Sequence, residues 1–285
     1  MERPIATPDD MSSVPVIISW VITVAVALCV VAKLVIKYTS IHRLELDDAF
    51  ILLSLTFSVA MLPPELFASR NGLGKRQASL SMHELQVYQK SVYAADALFI
   101  LTLFCSKSAI LLLLRNWSIN PLHRALVYAA TAYTAVWALS ALLIALFRCS
   151  LPRPWAILGD TCLNQEMFWE SFGVLHTLAE AFLLALPIVI IARARISSRQ
   201  KASIASIFAL RIFVIGAIAA EMSYRYRARF SNDDTHARWP VAVCITLVQG
   251  MNLIFSCVPW MKQFFVSLES GMIRVDDKRR LEAGK

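Results

Sequence analysis

The chain has 285 residues, of which 58% are hydrophobic and only 17% charged, with a formal net charge of +8. Its mean hydropathy of +0.59 sets it apart from water-soluble domains, in which roughly a quarter of residues are charged. A soluble globular enzyme is excluded, and the surplus of lysine and arginine reads as loops facing anionic lipid, with no nucleic acid required.

Crossing a hydrocarbon core takes about 20 residues of apolar helix, and seven runs meet that need: Val14–Ile36, Ala49–Phe67, Tyr93–Leu114, Ala125–Phe147, Phe168–Ile191, Ala202–Met222 and Trp239–Phe255. The first follows Glu2, Asp9 and Asp10 and has no basic stretch before it, so it reads as a retained span and not as a secretory signal. The seventh has Pro240 at its start and Pro259 near its end, which suits a helix with fixed entry and exit turns. The expected fold is an all-α membrane protein, a seven-transmembrane helix bundle. Residues 1–13 form a short N-terminal tail, 14–265 the membrane domain and 266–285 a basic tail.

Lysines and arginines in the loops set orientation. With the N-terminus outside and the C-terminus in the cytosol, the inner segments hold about 15 of them, among them Lys33, Lys37 and the tail pair Arg279-Arg280, against about 11 on the outer side. Four of the six cysteines, Cys29, Cys105, Cys244 and Cys257, lie inside spans and read as small buried thiols. Cys149 and Cys162 share the connection between the fourth and fifth spans. In an outward, oxidising compartment they can close that loop across Pro152, Pro154 and Trp155, whereas inside they would stay reduced. No spacing of Cys, His, Asp or Glu reads as a metal site.

In these residues the chain resembles the fungal rhodopsin-like domain family, seven-helix membrane proteins of filamentous fungi, some encoded in secondary-metabolite clusters and some similar to orphan receptors. The resemblance runs from Asp47-Asp48 at the second span to Cys257-Val258-Pro259 at the seventh. It includes Asn71-Gly72-Leu73-Gly74, the stretch from Cys105 through Lys107-Ser108-Ala109-Ile110 to Arg115, the loop of Arg148-Cys149, Trp155 and Cys162 (with Pro152 one position late), and Glu180 seven residues before Pro187. The chain departs from the family pattern with Lys75-Arg76 where a histidine is usual, Arg211 for a glycine, Glu221 for an arginine, and Val248 at the seventh-span glutamate position.

Despite the family name, a retinal pigment needs a Schiff-base lysine in the seventh span, and Trp239 to Met261 contains none. No cofactor is implied.

Lys107 lies in an otherwise apolar window, and two readings are open. One is snorkelling, since it stands about 10 Å of helix from the inner end. The other is a buried network: Glu180, about 16 Å deep on the fifth span, and Arg211, about 14 Å deep on the sixth, match in depth, and opposite charges inside a membrane are tolerated as a pair. His176 stands one turn before Glu180 and reads either as a packing histidine or as a base.

Three functional classes follow. A receptor-like or accessory protein would admit a lipophilic small molecule from outside and engage a cytosolic signalling partner, although Leu114-Arg115-Asn116-Trp117 is not an Asp-Arg-Tyr signature and no Pro follows Asn252. A membrane-embedded enzyme, of cyclase or isomerase type, would use Glu180 or His176 on a lipophilic intermediate in a dry cavity. A transporter would show paired, glycine-broken helices in related halves, which this chain lacks. The expected location is a plasma membrane or endomembrane, with membrane lipid as the surrounding partner.

Overall fold

A computed structural model of the chain describes residues 7, 10–118, 120–150, 152–156, 162–192, 198–231 and 233–260. Arg193, Arg195 and the basic tail counted in the orientation argument lie outside these residues. Seven helices are long and apolar enough to cross a membrane: Ser13–Thr39, Leu46–Arg70, Met82–Trp117, Pro121–Leu146, Gln165–Ala192, Lys201–Ala228 and Thr235–Trp260. The chain is a multi-pass membrane protein, and no β-strand occurs among the described residues.

The helical segments are α1 (Ser13–Ile41), α2 (Leu46–Ala60), α3 (Leu62–Arg70), α4 (Met82–Trp117), α5 (Pro121–Leu146), α6 (Gln165–Ala192), α7 (Ser198–Ala209), α8 (Arg211–Ala228), the short α9 (Asp234–Ala237) and α10 (239–260). Local chemistry sets several of their ends. His42, at φ 54°, stops α1 in the left-handed conformation. The backbone N–H of Glu45 donates to Asp48 in a capping box that opens α2. Pro63 and Pro64 lack N–H groups and break the second span at Met61, so α3 restarts with proline in its first turn. Ser81 and Glu84 form a second capping box, which starts α4 well before the apolar run at Tyr93. The sixth span breaks at Leu210, immediately before Arg211.

α4 is the most buried of the spans, and the others pack around it. One core cluster joins Phe99 and Leu103 of α4 to Trp137 of α5, Phe172 of α6, Val214 and Ile218 of α8, and Val248 of α10. A second joins Ile110, Leu111 and Leu114 to Leu183 of α6 and Phe208 of α7, and a third joins Val26 and Val30 of α1 to Ile51, Ala109 and Leu253. Burying a side chain of this kind stabilises by about 1.5–3 kcal/mol against water. Inside lipid the gain comes instead from close packing. Trp20, Val21, Leu28 and Val31 of α1, and Val136 and Leu139 of α5, project outward as lipid-facing side chains would.

The helices alternate in direction, so the connections fall at two ends. At one end Cys149 and Cys162 form a disulfide. At that same end the N-terminal segment is tied to the 71–77 loop and to the start of the seventh span. The N–H of Met11 donates to the Gly74 carbonyl at 3.0 Å, the Gly74 N–H to the Thr235 carbonyl at 3.0 Å, and the Gln77 N–H to Asp233 at 2.7 Å. Gly74 has φ 80° and a Cβ there would fall 2.8 Å from the Ser12 nitrogen, so only glycine fits.

Candidate functional site

The four residues singled out for a polar centre come from three helices. Lys107 lies in the last third of α4, Glu180 and His176 share one face of α6 by their i, i+4 spacing, and Arg211 is the first residue of α8. The structure brings them together around the Glu180 carboxylate. Lys107 Nζ donates to Glu180 Oε1, and Arg211 donates to Oε2 at 2.6 Å. All three side chains are 1% exposed or less, so Lys107 does not snorkel towards a headgroup.

His176 Nε2 stands 3.6 Å from Glu180 Oε1, longer than a hydrogen bond. Its ring stacks on Trp137 at 5.3 Å, which is the packing role, and the Lys107 ammonium lies 5.9 Å from the centre of the same indole. Arg211 also reaches Ser256 of α10 at 3.5 Å. Ser256 in turn meets Ser106 at 3.0 Å, and both hydroxyls contact the Asn252 carbonyl, at 2.7 and 3.0 Å. The centre therefore ties the third, fifth, sixth and seventh spans with one carboxylate, two cations and a ladder of hydroxyls.

A polar stripe continues along α10 from this centre. Gln249 donates to Ser58 of α2 at 2.7 Å, and Thr246 donates to Glu65 of α3 at 3.4 Å. Spacings of three or four residues put Thr246, Gln249, Asn252 and Ser256 close to one side of the helix.

Two further buried ionic groups were not singled out in the sequence. Lys33 and Lys37 of α1, read there as loop cations, are 1% and 0% exposed. They pair with the start of the second span, Lys33 with Asp47 at 3.0 Å and Lys37 with Asp47 and Asp48 at 2.7 Å each, while Glu45 closes the group at 3.0 Å from Lys37. The signal was available: two lysines one helical turn apart face two adjacent aspartates across a short turn. At the disulfide end Arg148 donates to Asp96 at 2.7 Å, so this cation beside Cys149 is likewise paired and buried. The family-departure residue Glu221 is held by Arg225 at 2.9 Å, and Lys75 and Arg76 lie in the loop beside Asp10 and Thr235.

A cavity of about 170 Å³ opens at the disulfide end, between α3, α4, α6, α8 and the seventh span. Its wall includes Met61, Glu65, Tyr88, Trp169, Arg225 and Ile245. Among the described residues no group of His, Cys, Asp and Glu could hold a metal ion.

The fungal rhodopsin domain matches residues 32–267. A SAT4 family membrane protein of Emericella nidulans is 26% identical over 209 residues, covering 70% of this chain and 51% of the relative. The chain thus spans about half the length of the curated relative it matches. No solved structure matches.

Proposed function

The chain belongs to the fungal rhodopsin domain family, and from that premise we propose that it is a receptor-like or accessory membrane protein of secondary metabolism, with its N-terminus outside and its C-terminus in the cytosol. A small molecule enters at the disulfide end, and a cytosolic partner responds at the other. The protein does not bind retinal, because the seventh span offers no lysine for a Schiff base.

The observation that carries this reading is the enclosure of the Glu180 centre. A general acid or base must touch its substrate, and Glu180 and His176 are both 0% exposed. A carboxylate shared by two cations and sealed from solvent suits a hub that fixes helix register, the best-attested use of buried polar groups. The polar stripe on α10 supports a link from the open cavity to that hub, through Thr246, Gln249, Asn252 and Ser256. Coupling between two sites needs a two-state element that both of them bias, and the broken sixth span that begins α8 at Arg211 is the element placed to serve as one.

Metabolite profiling of a deletion strain tests the reading. A receptor or accessory role predicts that the products of a pathway fall together. Accumulation of one intermediate, relieved by the wild-type chain and not by a Glu180→Gln or His176→Ala variant of normal abundance, would establish a membrane-embedded enzyme instead.

A further inference from the structure

We propose that the cavity at the disulfide end binds a small organic amine, with Glu65 as the partner of its ammonium group; the receptor-like reading supplies the biological role on which this assignment rests.

Three observations carry it. The first is that most of the other charges lining the cavity are matched, Asp96 by Arg148 at 2.7 Å, Glu166 by Arg229 at 2.9 Å, and Arg225 by Glu221 at 2.9 Å with its guanidinium 4.1 Å from the Trp169 ring, while Arg238 and the exposed Glu170 also stand in the wall. Glu65 differs. Its partners are hydroxyls, Thr246 at 3.4 Å and Ser19, and no cation forms an ion pair with it among the described residues. Ser19 and Thr246 also bond to each other at 3.2 Å, so α1 and the seventh span hold the carboxyl from one side and leave it lining the cavity. A carboxyl group whose own bonds are only to hydroxyls, in a mainly apolar wall, can take up the ammonium of a ligand as an ion-pair partner.

The second observation is the wall itself. Met61, Val92 and Ile245 supply apolar surface, and Tyr88, Trp169 and Tyr226 bring aromatic rings. Aromatic faces attract organic ammonium groups through the negative face of the ring. Few precisely placed polar groups in a mainly apolar pocket is the common pattern of small-molecule sites. The third is size: a cavity of about 150 Å³ is known to hold benzene, and this one, at about 170 Å³, takes a single ring or a short alkyl chain bearing one amine.

The test uses the full chain in lipid nanodiscs, with 2-phenylethylamine as probe, 2-phenylethanol as its neutral counterpart and phenylacetate as its anionic one. Thermal shift and tryptophan fluorescence report binding, the latter through Trp169. The expected result is a saturable shift with the amine, at least tenfold weaker binding of the alcohol, and none of the acid. Glu65→Gln should weaken amine binding by roughly 10- to 100-fold, the range for losing a charged hydrogen bond. If Glu65→Gln does not fold, Ala242→Phe, which fills the cavity and keeps the carboxylate, should abolish binding instead.

Amine binding that survives both substitutions, alcohol binding equal to amine binding, or no shift at millimolar amine overturns the proposal. The two readings fail separately. A Glu65-dependent shift in a protein whose deletion leaves every pathway product unchanged keeps the amine site and removes the receptor role. A deletion that lowers the products together, with no amine shift, does the reverse.

Discussion

Glu180 carries the polar centre, because it is the single anion at the meeting point of Lys107 and Arg211. The two cations are therefore not equivalent to it on removal. Lys107→Met leaves a Glu180–Arg211 pair that is neutral and hydrogen-bonded, whereas Glu180→Gln leaves two cations with no anion in a region 1% exposed or less. Breaking a buried pair from one side costs about 3–5 kcal/mol, and replacing a lysine with an apolar side chain of similar volume beside an intact pair costs about 1 kcal/mol or less. Thermal-shift measurements on purified variants should rank Glu180→Gln far below Lys107→Met, and the reverse order would show that Lys107 and not Glu180 anchors the centre. At this scale depth along a helix is legible in a sequence, which is why Lys107, Glu180 and Arg211 could be grouped before any geometry was known. Rotation about the helix axis is not. The cavity-facing side of Glu65 and the pairing of Asp96 with Arg148 are rotational facts, and they follow only from the packing of the helices.

Among the elements, the seven spans were legible because an apolar run of helical length leaves few alternatives in a membrane. Their ends and breaks were less so. The first turns of α4, from Met82 to Gln89, are too polar to read as membrane-spanning, and the Ser81–Glu84 capping box is a local hydrogen-bond pattern that hydropathy does not register. The break at Met61 follows from Pro63 and Pro64, but the break at Leu210 has no proline or glycine beside it, and nothing in the local sequence explains it. The connection between α5 and α6 was readable from its cysteines, and the Cys149–Cys162 disulfide is present. Closing a loop of this length contributes about 3 kcal/mol in the chain-entropy account. Cys162→Ser should abolish the gel-mobility change that the wild-type chain shows on reduction, and should lower thermal stability by several degrees. A mobility change that persists in the variant would mean that the reducible bond lies elsewhere.

For the whole molecule, the charged groups divide the bundle by depth. The α1–α2 group, with Lys33, Lys37, Asp47, Asp48 and Glu45, sits at one end, the Glu180 centre further in, and the Asp96–Arg148 and Glu221–Arg225 pairs near the disulfide end. Lys33, Lys37, Arg148 and Arg225 are thus paired internally, on both sides of the bundle, and the positive-inside argument rests on the remaining loop cations. With the disulfide end outside, a reporter fused after Lys285 should be cytosolic, and a lumenal or extracellular reporter would invert the orientation. The proposed hub makes a stronger demand, since four spans converge on Glu180 and its neighbours and the charges must act as one unit. The most direct test is the double-mutant cycle of Glu180→Gln and Arg211→Met, followed by thermal unfolding in one detergent. A hub predicts that the double variant recovers part of what Glu180→Gln loses, with an interaction energy of roughly 1–3 kcal/mol. Strictly additive losses would mean that these two side chains do not stabilise one another, and would contradict it.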